Sequence, residues 1–155
     1  MFKTVIWATD GSDAATAALP FARALVEEFG GELVAVHANE VFAGRAGGYP
    51  VLADETDLVA GIRAQVDELK LTGIDANLRL ITGTGVDAAQ TIADIAEEIG
   101  ADAIVVGTRG RTTIAGLLVG SVTHRLLHIA PCPVLSVPKL KSRAREPEPE
   151  LTATA

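Results

Sequence analysis

The chain has 155 residues, with 20 acidic and 13 basic side chains, a formal net charge of −7 and a hydrophobic fraction of 48%. This length is typical of one domain with a single core, and the negative charge argues against a nucleic acid or an anionic membrane surface as partner. No apolar run is long enough to span a bilayer, and the lone Cys132 indicates a reducing, cytoplasmic compartment.

Strand-like and helix-like segments alternate along the first half of the chain. The patterns predict strands at Phe2–Ala8 and Leu33–Ala38 and helices at Ser12–Phe29 and Asp54–Leu71. Pro20 predicts either a kink in the first helix or a late start of that helix. Residues 39–53 form a long loop between the second strand and the second helix, and a loop of such length in a compact domain is often functional.

The alternation continues in the second half. It predicts strands at Ala76–Ile81, Ala103–Gly107 and Pro133–Val137, and helices at Val86–Ile99 and Val122–Ile129. Asn77 and Arg79 give the third strand a polar face, which indicates a sheet edge. Residues 139–155 lose all periodicity and repeat Glu-Pro, so we expect a disordered tail after a domain that spans residues 1–138.

This order of elements is typical of one fold class. Strict strand–helix alternation predicts an α/β protein with a single open, mostly parallel sheet and helices on both faces. Such sheets bind ligands at the carboxyl ends of the strands, where the direction of winding reverses.

The most informative segment follows the fourth strand. Gly107, Gly110 and Gly120-Ser121 join a buried strand to the start of a helix, with Ser121 near its N-cap. Free N–H groups and the positive end of a helix dipole favour an anion at such a place. A Cβ at Gly110 or Gly120 would block either the ligand or a left-handed turn. The segment therefore predicts a phosphate cradle.

The sequence lacks two features of a phosphoryl-transfer enzyme. No Gly-Lys-Ser or Gly-Lys-Thr is present, so no P-loop lysine reaches a terminal phosphate. No carboxylate lies between Ala103 and Leu127, where one could orient an attacking water. Binding without efficient turnover is the better interpretation.

Several polar residues can be interpreted in two ways. Asp10 is either a ligand contact or an Asx-turn residue before the first helix. Arg109 is either a phosphate contact or a solvated loop residue. His124 and His128 have a spacing that could ligate a metal, but without a third ligand nearby they indicate a partly exposed pair on a helix. His37, inside an apolar strand, is expected to be buried and hydrogen-bonded.

Three segments together resemble the universal stress protein family. They are Ala8-Thr9-Asp10-Gly11-Ser12 after the first strand, Gly107-x2-Gly110-x9-Gly120-Ser121, and Ala130-Pro131-Cys132-Pro133-Val134 before the last strand. The resemblance covers about residues 2–138 and is closest to the ATP-binding branch of the family. It implies a Rossmann-like, adenine-nucleotide alpha hydrolase-like fold with strand order 3-2-1-4-5.

The resemblance also implies a set of site residues. Adenosine would contact the segment from Ala8 through Thr9 to Asp10, and the carboxylate of Asp10 would bond ribose or reach a Mg²⁺ ion. Ala38 would offer its backbone to adenine. Along the glycine motif, ribose and phosphates would meet Gly107, Gly110, Gly120, Ser121 and Val122.

These observations favour a homodimeric ATP-binding stress protein that responds to nucleotide level, with ATP and Mg²⁺ as ligands. A cyclic AMP-binding member of the family remains open, as do a slow ATPase or nucleotidyl-transfer enzyme and an interaction protein whose glycine motif is only structural. The dimer is expected to form through the last strand, Val134–Val137, because an apolar sheet edge invites pairing with another chain.

Overall fold

A computed structural model describes residues 1–40, 52–83, 85–110 and 119–139. Strands and helices alternate throughout these ranges. The strands are β1 (Thr4–Ala8), β2 (Glu32–Glu40), β3 (Asp75–Gly83), β4 (Ala103–Gly107) and β5 (Val134–Val137), and the helices are α1 (Asp13–Phe29), α2 (Leu52–Leu71), α3 (Ala88–Ile99) and α4 (Ser121–Ile129). The Gly44–Pro50 part of the long loop, Arg111 and the tail from residue 140 lie outside the described residues.

The five strands form one parallel sheet in the order β3-β2-β1-β4-β5. This confirms the predicted open α/β architecture and the strand order implied by the family resemblance. β1 lies in the centre, where Ile6 pairs with Val34 of β2 on one side and with Ile104 of β4 on the other. The chain winds in one direction from β1 to β3 and in the other from β1 to β5, so the carboxyl ends of β1 and β4 flank the switch point.

Side-chain alternation along β1 divides the core into two layers. Val5 and Trp7 face one side of the sheet, where α1 and α2 pack, and Trp7 Nε1 donates to the Ala15 carbonyl at 2.9 Å. Ile6 and Ala8 face the other side, where α3 and α4 pack. Successive residues of a strand point to opposite faces, so a strand buried on both sides is a continuous apolar run.

Helix α1 begins and ends as its sequence indicates, and the expectation of a late start at Pro20 is wrong. The Ser12 side chain accepts from the Ala15 N–H at the beginning, and Gly30, with φ +63°, closes the end. The helix runs through Pro20, which lies on its exposed face. Water can there hydrate the Thr16 carbonyl, which loses its partner because proline has no N–H.

At the amino edge of the sheet, the Asp102 side chain binds the backbone at the start of β1. Its carboxylate accepts from the Lys3 N–H at 2.7 Å and from the Thr4 N–H at 3.0 Å. These backbone hydrogen bonds, that of Thr4 above all, hold the pKa of the Asp102 carboxyl below its ordinary value. Asp102 thereby ties the start of β1 to the start of β4.

Within the described ranges, no helix is both long and apolar enough to cross a membrane.

Candidate functional site

A cavity of about 960 Å³ opens at the carboxyl edge of the sheet, over the switch point between β1 and β4. The ends of β1, β2 and β4 and the first turns of α3 and α4 form its walls. The ten nucleotide-site residues expected from the sequence and the family resemblance all line this cavity: Ala8, Thr9, Asp10, Ala38, Gly107, Arg109, Gly110, Gly120, Ser121 and Val122.

The segment after β1 is held by hydrogen bonds of its own. The Thr9 hydroxyl accepts from the Gly11 N–H at 3.2 Å, and Asp10 Oδ1 accepts from the Ser12 N–H at 3.0 Å. Gly11 has φ +75°, a conformation that glycine adopts without strain. The Asx-turn interpretation of Asp10 is therefore confirmed, and the same carboxylate also lines the cavity.

Gly110 lies in close contact with the carboxylate of Asp10. A Cβ on Gly110 would lie 2.6 Å from Asp10 Oδ2, and Gly110 is absent from the glycines with positive φ. Of the two reasons that the sequence offered for this glycine, the left-handed turn is wrong. The group that approaches Gly110 is the carboxylate of Asp10 at the end of β1, which a Cβ at residue 110 would have to displace.

Gly107 has a packing role. A Cβ there would lie 2.6 Å from the Ala14 carbonyl carbon and 2.7 Å from its oxygen, so α1 can rest on the end of β4 only if residue 107 is glycine. The buried Thr123 hydroxyl of α4 donates to the Gly107 carbonyl at 2.8 Å. Gly107 thus brings the starts of two helices against one strand end.

Helix α4 begins differently from the prediction. Its N-cap is Gly120, with φ −67° and no capping side chain, and Ser121 is the first residue of the helix. Ser121, which the sequence places near the N-cap, directly follows it, since the Gly120 N–H donates to the Thr108 carbonyl at 2.7 Å and the cap lies at residue 120. The left-handed turn offered for Gly120 is wrong as well.

Three backbone donors follow this cap. The first intrahelical hydrogen bond runs from the His124 N–H to the Gly120 carbonyl. Within the described part of the chain, the N–H groups of Ser121, Val122 and Thr123 have no hydrogen-bond acceptor. These donors and the positive end of the helix dipole favour an anion at the first turn of α4.

The sequence reasoning missed the contribution of α3. Asp87 caps this helix by accepting from the Gln90 N–H at 3.1 Å, and its other oxygen pairs with Arg125 of α4. Both side chains line the cavity, as do Asn39 and Ile92. The missed signal is topological, because in a parallel sheet every helix that follows a strand begins at the ligand-binding edge.

Charge in the cavity is balanced. The charged side chains among its described lining residues are Asp10, Asp87, Arg109 and Arg125. Arg109 is exposed, so its guanidinium can turn toward an anion without leaving water. The net negative charge of the chain therefore does not make this edge repel an anion.

The three histidines lie where the sequence predicted. His124 and His128 are exposed, with ring centres 4.8 Å apart, and no group of three metal-ligating side chains occurs in the described ranges. His37 is 1% exposed and has a hydrogen-bond partner at each ring nitrogen.

Comparison with known proteins agrees with this architecture. The sequence model of the universal stress protein family matches residues 1–138. A universal stress protein of Thermus aquaticus is 35% identical over 140 residues, which cover 88% of this chain and 99% of that protein.

Two proteins of similar structure are known as nucleotide complexes. A universal stress protein in complex with cAMP is 26% identical, with a TM-score of 0.64, over 90% of this chain and 98% of its own. The universal stress protein from Archaeoglobus fulgidus in complex with dAMP is 25% identical, with a TM-score of 0.66, over 88% and 98%. The matched range, the fold and the sequence identity lead to one conclusion: the chain belongs to the universal stress protein family.

Proposed function

We propose that this chain is a homodimeric stress protein that binds ATP in the cavity over β1 and β4, with Mg²⁺, and responds to nucleotide level without efficient turnover. The observation that carries the proposal is the uncapped first turn of α4, which opens into the same cavity as Asp10. A phosphate chain and a ribose hydroxyl need such a pair, N–H donors on one side and a carboxylate on the other.

The residues present fit the parts of an adenine nucleotide. Backbone groups at Ala38 and Asn39, at the end of β2, suit the adenine edge, and Asp10 suits a ribose hydroxyl or the Mg²⁺ that accompanies the phosphates. The N–H groups of Ser121 and Val122 suit phosphate oxygens. The Gly120 N–H is engaged with Thr108, so Gly120 contributes through its small size.

The carboxylates of the site support binding over turnover. Among the described lining residues they are Asp10 and Asp87. Asp10 accepts from the Ser12 N–H, and Asp87 caps α3 and pairs with Arg125. A general base must instead be placed to accept a proton from an attacking water. These engagements make either carboxylate a poor base.

Cyclic AMP is the second candidate ligand, because a structural neighbour that is 26% identical to this chain is a cAMP complex. Adenine and ribose would use the same groups at the ends of β1 and β2. A cyclic phosphodiester has a single phosphate, so it would place fewer oxygens at the first turn of α4 than a triphosphate does. The number of phosphates therefore separates the two candidates.

Calorimetry on the untagged chain tests the proposal. ATP, AMP and cyclic AMP are titrated with and without Mg²⁺, and phosphate release is followed in parallel. We expect ATP to bind more tightly than AMP and Mg²⁺ to increase that difference, since the ion bridges terminal phosphates. Tighter binding of cyclic AMP than of ATP would favour the second candidate. Turnover faster than about one per second would mark an enzyme.

The homodimer is a separate part of the proposal. β5 is an edge strand of the sheet, and Leu135 within it is 41% exposed. Pairing with a second copy would cover that side chain and the unpaired edge. Light scattering on the wild type should give about twice 16.0 kDa. Leu135→Lys should shift the chain toward monomer, whereas the control Leu71→Lys, at an 88% exposed position on α2, should not.

The cellular place of the protein and the limits of the folded domain complete the proposal. The lone Cys132 packs against the α3 and α4 layer, and burial raises the pKa of its thiol. Such a thiol fits a structural role in a reducing cytoplasm. We also propose that residues 1–138 form the domain and that the tail is dispensable for nucleotide binding.

A further inference from the structure

The imidazole of His37 connects the candidate site to helix α2. Its side chain is buried on the face of the sheet covered by α1 and α2, since it alternates with Leu33 and Ala35 along β2. Nδ1 lies 2.8 Å from the Thr9 carbonyl oxygen, and Nε2 lies 2.8 Å from Glu55 Oε1 in the first part of α2. Neither the phosphate cradle nor the sheet itself requires this connection.

The two partners define where the protons of His37 lie. A carbonyl oxygen only accepts, so Nδ1 must carry the hydrogen that it shares with Thr9. Nε2 then faces a carboxyl oxygen at hydrogen-bond distance, and two lone pairs would repel each other there. A proton must lie between Nε2 and Glu55. His37 is therefore the centre of a bridge that runs from Thr9 to Glu55 through two hydrogen bonds.

The bridge fixes the peptide that carries the site carboxylate. The Thr9 N–H donates to the Val36 carbonyl at 2.9 Å, and the Thr9 carbonyl accepts from His37. The described residues contain no cis peptide. In a trans peptide the N–H points opposite to the preceding C=O. Holding the Thr9 carbonyl therefore sets the direction of the Asp10 N–H and the position from which the Asp10 carboxylate enters the cavity.

We propose that His37 is a positioning residue of the nucleotide site, which uses Glu55 of α2 as its anchor and sets the orientation of the Thr9–Asp10 peptide. This inference rests on the proposed function for its ligand and on the two hydrogen bonds for its mechanism. His37 itself does not touch the nucleotide. Glu55 has 20% of its side chain exposed, so it can be changed without opening the core.

The first test uses paired variants and ATP titrations. Glu55→Ala removes the anchor, whereas Glu55→Gln keeps a side-chain N–H that can donate to Nε2 of the neutral imidazole. We expect Glu55→Ala to weaken ATP binding by about tenfold and Glu55→Gln to remain close to wild type, because one buried hydrogen bond is at stake. Glu68→Ala, at an exposed position on the same helix, is the control. Wild-type affinity in Glu55→Ala would overturn the proposal.

A second pair of variants separates the two ring nitrogens. The amide nitrogen of asparagine falls near Nδ1, and that of glutamine falls near Nε2, so His37→Asn keeps the donor to Thr9 and His37→Gln loses it. We expect His37→Gln to weaken ATP binding more than His37→Asn does. The reverse order would contradict the proposal. Circular dichroism on each variant checks that it is folded.

A third measurement needs no nucleotide and so distinguishes failure of this inference from failure of the proposed function. Long-range 1H–15N spectra of His37 should show hydrogen on Nδ1. Amide exchange of Gly11 and Ser12 should be faster in Glu55→Ala than in wild type and unchanged in Glu68→Ala. A neutral ring with hydrogen only on Nε2, or unchanged exchange in Glu55→Ala, would overturn the bridge even if ATP binds. If the spectra and exchange behave as expected but ATP does not bind, the proposed function alone fails.

Discussion

Helices α1, α3 and α4 all begin at the carboxyl edge of the sheet, and they begin in two different ways. Helices α1 and α3 close their own first turns, because Ser12 accepts from the Ala15 N–H and Asp87 accepts from the Gln90 N–H. Helix α4 begins at Ser121, and its N-cap, Gly120, has no side chain to offer. An N-cap side chain contributes typically about 1 kcal/mol to stability. Helix α4 does without this contribution at the place where the cavity opens.

The difference shows how the fold separates structure from binding. A first turn whose N–H group is bound by an N-cap side chain stabilises the helix but leaves fewer donors for a ligand. A first turn left open keeps its donors for an external anion, and other contacts must then hold the helix. In α4 they are the buried Leu126 and the Thr123 hydroxyl that donates to the Gly107 carbonyl.

The largest effect should come from Gly107, which joins the closed start of α1 to β4. Gly107→Ala places a methyl group within 2.7 Å of the Ala14 carbonyl, and backbone cannot yield as a side-chain tip can. We expect a loss of about 3 kcal/mol in the free energy of unfolding, measured by urea denaturation. Gly120→Ala is the matched control, because its Cβ would lie 3.4 Å from the nearest atom. It should cost less than about 1 kcal/mol. Equal losses would contradict the packing role of Gly107.

Closing the first turn of α4 should convert it into a structural start like that of α1. Gly120→Asp supplies an internal acceptor and a negative charge where phosphate is expected. Stability should change by less than about 0.5 kcal/mol, whereas ATP affinity should fall by at least roughly a hundredfold. Gly120→Ser adds a cap without charge and should weaken binding less. Calorimetry on both variants checks this. Unchanged ATP binding in Gly120→Asp would mean that this turn is not the phosphate site.

Asp10 belongs to both sides of the comparison, since it holds the turn before α1 and lines the cavity. Asp10→Ala should lower the free energy of unfolding by about 1 kcal/mol, because the Ser12 N–H loses its acceptor. It should weaken ATP binding by about tenfold and remove the Mg²⁺ dependence if the carboxylate reaches the ion. Titrations with Mg²⁺ and with a chelator measure both effects. An unaltered affinity for ATP would leave Asp10 with the structural role alone.

The hydroxyl of Ser121 should matter less than the backbone beside it. Because Ser121 is the first helical residue and not the N-cap, Ser121→Ala should leave the unfolding free energy within about 0.5 kcal/mol of wild type. ATP binding should weaken by about 1 kcal/mol, the usual worth of one hydrogen bond. A large loss of stability would show that the hydroxyl caps the helix after all.

The smallest effect concerns the amino edge of the sheet, where the Asp102 carboxylate accepts hydrogen bonds from two backbone N–H groups. Its pKa is lowered from the ordinary 3.8 in the folded state. Its stabilisation is therefore fully present above pH 3.8 and is lost as the pH falls through the folded-state value. Urea midpoints between pH 7 and pH 3 should fall less steeply in Asp102→Asn than in wild type. The exposed Glu97→Gln is the control and should follow the wild type.

The sequence predicted the fold well because the strongest physical signals are local. Buried strands such as Ala103–Gly107 are continuous apolar runs, and Gly30 and Asp87 mark helix ends by their own chemistry. The observed ends of the elements differ from the predicted ones where the sequence pattern is weak. β3 extends to Gly83, beyond the predicted Ile81, because pairing with β2 continues to Glu40. The strand order came from the family resemblance, and the register is visible only in the structure.

The sequence predicted residues that line the cavity, but only part of the structural reasons for them. Proximity of Asp10 to Gly110, 100 positions apart, follows from the switch point, but the contact between the Asp10 carboxylate and Gly110 is visible only in the structure. The cap of α4 depends on the Gly120–Thr108 hydrogen bond, which no spacing rule predicts. Arg125 and Asp87 meet across two helices, and Glu55 reaches His37 from an element whose packing a single sequence does not specify.

The central position of β1 has a consequence for how the protein folds. β1 pairs with β2 next along the chain, but its other neighbour, β4, begins at Ala103, so half of its hydrogen bonds await a segment almost a hundred residues away. Contacts of such long sequence separation form slowly, because the loop between them must first be closed. During synthesis the β1–β2 pair can form early, whereas the cavity is complete only after α4 has emerged. Ligand binding would therefore follow the last long-range step of folding.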